Sequence, residues 1–305
     1  MANFRYTNRV NDLITIEMTT IAIVMVLLIT AITYGRGWLR LQVVPERQDS
    51  RAASRRSLVL ALLGFGVLAL GLLPPLSVLS TQFFLFRMVR HLLLSTVAPC
   101  FIFLADPLPA LWCGLSSEGR TRLRMWGKRR HRTWTRFKMV FNRGTALFLS
   151  VAATLIWFDG SLHHLTLRVA LVHSLESLVL IVCGGLYWWH ISGASPRLSD
   201  PLPTFPHAIY AAVGALPIKV SGIVFLSLGA PLYSYPNPDL GWITLSPLQS
   251  FHWGGALVWM LGGITYSYAA LWLLQGWLGE EEQKPPIPRS MWDTPEAMLA
   301  PGFDQ

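Results

Sequence analysis

Long apolar stretches alternate with shorter polar segments along the 305 residues of this chain. Seven stretches are nearly free of charged residues, and they cover about residues 13–35, 57–80, 83–105, 144–159, 165–189, 208–230 and 253–277. A helix needs roughly 20 such residues to cross the hydrocarbon core of a bilayer. The fourth stretch is the shortest and needs flanking residues to reach that length. The pattern predicts an all-α polytopic membrane protein in which residues 1–278 form a seven-transmembrane-helix bundle.

The composition supports this prediction and excludes several classes of protein. Apolar residues make up 52% of the chain and charged residues 13%, whereas roughly 25% of the residues in soluble domains are charged. This balance excludes a soluble enzyme, a secreted disulfide-rich domain and a DNA-binding module. The sequence also contains no phosphate-binding loop, zinc-protease motif or hydrolase nucleophile motif. We therefore expect no enzymatic activity.

The positive charges follow the alternation of the apolar stretches. Of the 25 Lys and Arg residues, six lie between stretches one and two, ten between three and four, one between five and six, and two in the tail. The other three connections contain none. Because positive loops stay in the cytoplasm, the N-terminus is predicted outside and the C-terminus inside a bacterial cytoplasmic (inner) membrane. The net charge of +9 then reflects topology, and no nucleic-acid partner is expected.

Two segments lie outside the predicted spans on the cytoplasmic side. Residues 106–143 form a basic loop in which residues 120–141 mix aromatic with basic side chains. A nucleic-acid-binding helix and an interfacial helix on anionic membrane lipids both fit that pattern, and we favour the lipid-bound helix. Residues 279–305 form a Pro-rich tail that we expect to be disordered or docked on a partner.

Polar residues inside the apolar stretches are the candidates for function, because an ionisable side chain near the centre of a spanning helix costs about 2.5–3.5 kcal/mol. The residues concerned are Glu17, Arg87, Arg90, His91, Arg168, His173, Glu176, Lys219 and His252. Most of them come early in odd-numbered stretches, which places them in the outer half of the membrane on the predicted topology. Helical spacing puts Arg87 with His91, and His173 with Glu176, on shared faces. We predict one buried polar cluster near the extracytoplasmic surface.

Simpler interpretations exist for individual members of this set. An arginine close to a helix end can extend its guanidinium to the headgroups, and His252 fits an ordinary interfacial histidine. His163 and His164 are adjacent in a predicted outer loop, where solvent exposure is the ordinary expectation. The pair His173 and Glu176 lies deeper, so a structural or functional polar network is the better interpretation there.

Three groups of sequence strings surround several of these polar residues. Residues 88–94 read MVRHLLL, followed by VAP at 97–99 and DPL at 106–108; residues 172–176 read VHSLE, followed by GGLYWW at 184–189; residues 245–248 read LSPL, followed by GGALVW at 254–259. Together these strings resemble the CtaG family of cytochrome c oxidase assembly factors. The likeness covers roughly residues 57–275 with spans in matching order. It implies seven helices and a role in maturing haem–copper oxidases by helping copper reach the catalytic subunit.

The chain departs from that family pattern where metal ligands are expected. The resemblance implies a second histidine at position 87, a Glu-His pair at 176–177 and an Asp-Gln pair at 250–251. This chain has Arg87, Ser177, Ser250 and Phe251 there. His91, His173 and His252 remain as metal-ligand candidates.

These substitutions change which ligand the cluster suits. Copper favours imidazole or sulfur ligands, and two unit charges 4 Å apart repel by about 4 kcal/mol at an effective dielectric constant of about 20. The predicted set holds four fixed cations, Arg87, Arg90, Arg168 and Lys219, and two carboxylates, Glu17 and Glu176. A net positive cluster suits an anion: a lipid phosphate, a haem propionate or an acidic residue of a partner.

Four functional hypotheses follow. The first is an assembly factor that contacts a membrane subunit of a respiratory oxidase, and the second is a copper-delivery protein that uses the three histidines. The third is a non-catalytic accessory subunit bound permanently to a larger membrane complex, without a metal site. The fourth, a transporter, ranks last because the sequence shows no inverted repeat.

Overall fold

The computed structural model describes residues 2–43, 51–129, 141–200, 202–241 and 244–282. The fold is all-helical, with 81% helix and no strand in these ranges. The α-helices are Ala2–Val43, Arg55–Leu72, Leu76–Gln82, Phe84–Leu92, Ala98–Leu104, Pro107–Gly114, Ser117–Arg129, Arg143–Ile156, Gly160–Arg168, Ala170–Ser192, Thr204–Val213, Leu216–Ser227, Pro247–Leu257 and Gly263–Glu282. A 3₁₀ turn covers Arg51–Ala53, and π-helical segments cover Leu93–Val97 and Val258–Gly262.

Six of the helical units are long and apolar enough to cross a membrane. They are span 1 (Thr20–Val43), span 2 (Arg55–Leu72), span 3 (Phe84–Leu104), span 5 (Ala170–Ser192), span 6 (Thr204–Ser227) and span 7 (Pro247–Gly279). A bent pair, Arg143–Ile156 with Gly160–Arg168 at 73°, reaches the required length when its helices are taken together, and we call it span 4. The chain is therefore a multi-pass membrane protein with six spans, or seven with the bent pair.

Several of the predicted boundaries differ from the helices in the structure; the fifth span, for example, begins at Ala170, and residues 165–168 belong to the preceding helix. The first span lies later than predicted, so Arg36 and Arg40 belong to a helix and not to a connection. The second span ends at Leu72, because the following Pro74–Pro75 pair cannot continue the helix and a separate short helix begins at Leu76. The fourth stretch was predicted to be one helix, but its helix stops at Ile156.

The bundle has two chemically different ends. At the basic end, which carries the described connecting residues 51–54, 105–129 and 193–200, Arg51 donates to the carbonyl oxygens of Ser192 at 3.0 Å and Leu104 at 3.2 Å. At the opposite end, which we call the network end, the backbone N–H of Asn237 donates to Gln82 O at 3.1 Å. Alternate connections therefore gather at the same end, which is the arrangement required by a chain that crosses the bilayer back and forth.

The core lies between spans 3, 5, 6 and 7. Its largest enclosed side chains include Phe84, Met88, Trp188, Tyr266 and Phe251. Span 1 is peripheral, with 11% of its apolar window buried, and it packs against the helix Pro107–Gly114. The apolar side chains exposed on the outside of the bundle are those expected to face lipid.

The two remaining sequence predictions outside the spans fall partly beyond the described residues. The basic loop is helical over Pro107–Gly114 and Ser117–Arg129, while residues 130–140 lie outside the described ranges. The last helix runs through Glu280–Glu282, and the Pro-rich segment from residue 283 onward lies outside the described ranges.

Candidate functional site

A buried ion pair joins spans 3 and 5 at the network end. Arg87 donates from Nη2 to Glu176 Oε1 at 2.8 Å, and the two side chains are each 2% exposed. The same nitrogen donates to Thr166 Oγ1 at 2.7 Å. Thr166 lies in the second arm of span 4. One guanidinium thus connects three segments that are distant in sequence.

A second arginine extends the contact to span 2. Arg90 donates from Nε to Gly71 O at 2.9 Å and from Nη2 to Ser177 Oγ. Its Nη1 atom lies 3.8 Å from Glu176 Oε2. Because Arg87 and Arg90 are three residues apart on one helix, they reach Glu176 and Ser177 from the same side of span 3.

His173 is the most exposed ionisable member of the group. Its Nδ1 atom lies 3.9 Å from Glu176 Oε2, and its side chain is 18% exposed. We call Arg87, Arg90, His173 and Glu176, with the hydroxyls of Thr166 and Ser177, the buried ion network. When His173 is neutral, the two guanidiniums and the one carboxylate give this network a net charge of +1.

Several buried polar atoms of the network have spare hydrogen-bonding capacity. Arg87 Nη1, His173 Nδ1 and Glu176 Oε2 have no hydrogen-bond partner among the described residues. Both ring nitrogens of His91 are also unpartnered. The His91 ring lies against Phe158 with ring centroids 5.5 Å apart, so an aromatic contact holds it. The network therefore contains enclosed donors and acceptors that its described neighbours leave unused.

Three other predicted members lie outside the network. Arg168 is exposed at the end of its helix. Lys219 is partly buried in the middle of span 6, where Nζ lies 5.5 Å from the ring centroid of Trp259 in span 7. The His252 ring pairs through Nε2 with Leu228 O at 2.9 Å. The prediction of one common cluster is wrong for Arg168, Lys219 and His252, because Arg168 is exposed, Lys219 faces span 7 and His252 contacts a backbone carbonyl.

Glu17 lies in the helix Ala2–Val43, but its side chain falls outside the described residues, so its place in the cluster stays a prediction.

His163 is buried, contrary to the prediction of a solvated loop histidine. It is 0% exposed, its ring stacks on Tyr233 with centroids 3.8 Å apart, and Nε2 lies 2.7 Å from the Tyr235 hydroxyl. Burial raises the pKa of Tyr235, so its hydroxyl keeps its proton. The helix Gly160–Arg168 is bent by 73° from Arg143–Ile156, and Tyr233 and Tyr235 of the connection between spans 6 and 7 pack against its His163. These two tyrosines were the sequence feature that could have indicated a buried His163.

The donor set does not fit a copper ion. No three His, Cys, Asp or Glu side chains among the described residues are grouped so as to hold a metal ion. His91 lies one helical turn from Arg87 and next to Arg90, and His252 contacts a backbone carbonyl. Fixed cations beside an imidazole disfavour a further cation by Coulomb repulsion. The predicted His91, His173 and His252 site is therefore not assembled.

Comparison with known families identifies the family to which this geometry belongs. The family model for the cytochrome c oxidase caa3 assembly factor (Caa3_CtaG) matches residues 32–280. The chain belongs to the CtaG family. No curated protein and no solved structure matches it significantly. The match confirms the resemblance seen in the sequence strings, and the CtaG family comprises assembly factors of cytochrome c oxidase.

The positions at which this CtaG chain departs from the expected pattern all contact span 3 or belong to it. Arg87 pairs with Glu176, and Ser177 accepts from Arg90. Ser250 Oγ accepts from the backbone N–H of Leu85 at 3.1 Å. Phe251 stacks on Phe84 with centroids 3.9 Å apart. Ionic, hydrogen-bonding and aromatic contacts thus occupy the places where the resemblance implied ligands.

Proposed function

We propose that this CtaG protein is a non-catalytic assembly factor that contacts a membrane subunit of a cytochrome c oxidase. Membership of the family supports this role. The protein is proposed to reside in a bacterial cytoplasmic membrane with its N-terminus outside. The clustering of Lys and Arg at the basic end supports that orientation, and it puts the buried ion network in the outer half of the bilayer.

The network is proposed to attract an anionic group of the client. The observation that carries this step is the imbalance between two guanidiniums and one carboxylate, all at most 3% exposed. A net positive charge in a low-dielectric site favours a nearby anion. His173 is the ionisable member that reaches the surface, so we place the client's acidic side chain beside it. Copper has no step in this proposal, because the donor set does not suit it.

The experiment separates the role of the network from a purely structural one. A strain that lacks its own factor would be complemented with wild type, with His173→Ala, and with His164→Ala as the matched exposed histidine. A fourth variant combines Arg87→Met, Arg90→Met and Glu176→Met, because replacing a whole buried ionic group by apolar residues is often neutral for stability. Assembled oxidase is measured on native gels, together with the amount of factor in the membrane.

We expect His164→Ala to support assembly, and His173→Ala and the triple variant to lose it at normal factor levels. Full assembly with the triple variant would overturn the proposed role of the network. Stoichiometric copper in the purified factor would overturn the metal-free mechanism. Quantitative co-purification with one mature complex would overturn the transient role and favour the permanent accessory subunit.

A further inference from the structure

A second candidate site lies at the basic end, opposite the buried ion network. A cavity of about 360 Å³ is present between spans 2, 3, 5 and 7. Its lining includes Arg51, Ser54, Arg56, Leu60, Tyr268 and Trp272. Polar and basic side chains lie at the level where span 2 begins, and apolar and aromatic ones lie deeper along the spans.

The mouth of this cavity is positively charged. Neither Arg51 nor Arg56 forms an ion pair with another described residue. The hydrogen bonds of Arg51 to Ser192 O and Leu104 O are to carbonyls and hold the guanidinium in place. Asp106 is the acidic residue that acts on Arg51 electrostatically, and one carboxylate against two arginines leaves the mouth net positive. Ser54 caps the N-terminus of span 2 by accepting from the backbone N–H of Ser57. The positive end of the helix dipole therefore adds to the field of the arginines.

The walls below the mouth are apolar and open to the side. Leu60 of span 2 faces the cavity across from Tyr268 and Trp272 of span 7. Tyr268 is 60% exposed and Trp272 39% exposed, so this wall continues onto the surface that faces lipid. Aromatic residues of this kind are typical of the membrane interface. The cavity thus joins a cationic mouth to a hydrophobic channel within one membrane leaflet.

We propose that this cavity binds an anionic phospholipid. Its phosphate contacts Arg51 and Arg56, and an acyl chain lies along Leu60, Tyr268 and Trp272. The two arginines outnumber the one nearby carboxylate, that of Asp106, and this excess favours a headgroup with net negative charge over a zwitterionic one. The apolar wall favours a lipid over a free anion, because an inorganic phosphate would leave that wall without an occupant.

The test counts lipids on the full-length protein. Protein reconstituted with equal phosphatidylglycerol and phosphatidylcholine would be extracted mildly and examined by native mass spectrometry. Arg56→Gln removes one charge at the cavity, and Arg55→Gln is its control, an exposed arginine that does not line the cavity. Leu60→Trp fills the channel, and Leu62→Trp adds the same bulk to an exposed position of the same helix. Thermal stability is measured with each lipid and with inorganic phosphate.

We expect one retained phosphatidylglycerol on wild type, Arg55→Gln and Leu62→Trp. Arg56→Gln should lower the apparent affinity about five-fold, the loss of one arginine–headgroup attraction, and Leu60→Trp should abolish retention with both arginines present. Equal losses for Arg55→Gln and Arg56→Gln would overturn the site in favour of general surface charge. Equal retention of phosphatidylcholine, or equal stabilisation by inorganic phosphate, would also overturn the proposal.

Discussion

Arg87 and Glu176 form an ion pair at 2.8 Å between spans 3 and 5, with each side chain 2% exposed. Because both side chains are buried to this extent, neither charge is compensated by solvent if its partner is removed. Arg90 lies beside it at 3.8 Å and adds a second cation to the same carboxylate. Glu176 therefore supplies the negative charge that both guanidiniums share.

Removing that carboxylate is expected to destabilise the bundle strongly. Glu176→Gln keeps the size of the side chain but leaves Arg87 and Arg90 buried without a counter-charge. Breaking a buried pair from one side costs about 3–5 kcal/mol. The free energy of unfolding, measured by titration with SDS in mixed micelles, should fall by that amount.

Glu118→Gln is the matched control, because Glu118 is exposed in the helix Ser117–Arg129. A surface change of this kind should alter stability by less than about 0.5 kcal/mol. Similar small effects for both variants would contradict the account of the network given above.

The hydroxyl of Thr166 should contribute a smaller amount. Thr166→Val keeps the shape of the side chain and removes the second acceptor of Arg87 Nη2. A hydrogen bond to a charged group contributes about 1.5–3 kcal/mol, and the same SDS titration measures the loss. Thr265→Val is the control, since the Thr265 hydroxyl donates to Leu261 O of its own helix. A Thr166 effect no larger than the Thr265 effect would show that the bent arm of span 4 is not held by Arg87.

Span 7 should tolerate no side chain at Gly255. A Cβ atom there would lie 2.8 Å from Gly222 O and 2.9 Å from Phe225 Cβ, because spans 6 and 7 approach closely at this point. Gly255→Leu is expected to abolish accumulation of folded protein, measured as the monodisperse peak of a fluorescent fusion. Gly66→Leu is the control, since its Cβ would meet nothing within 4 Å. Equal peaks for the two variants would contradict this packing.

The proposed orientation predicts opposite signals from fusions at the two ends of the bundle. A C-terminal green fluorescent protein should fluoresce, and a C-terminal alkaline phosphatase should be inactive, because the C-terminus is predicted in the cytoplasm. A phosphatase inserted after Asp239, in the connection between spans 6 and 7, should be active. The reverse pattern would place the buried ion network in the inner half of the membrane.

The sequence alone could predict the ionisable residues of the network but not every residue that contacts them. The spacing of Arg87, Arg90, His173 and Glu176 on two helices, together with the cost of charge in lipid, is readable from the chain. Thr166 could not be found in this way, because its place depends on a 73° bend between two short helices. Lys219 was wrongly predicted to join the cluster for a related reason: the depth of a residue in a span does not reveal which neighbouring helix its side chain faces.

The order in which the ribosome makes the two partners follows from their distance along the chain. Arg87 and Glu176 are 89 residues apart, so at roughly 5–20 residues per second the carboxylate emerges about 4–18 s after the arginine. During that interval the nascent third helix carries two arginines without their counter-charge. Pairing with Glu176 stabilises both cations inside the bundle, so we expect the third helix to be held firmly only after the fifth has entered the membrane.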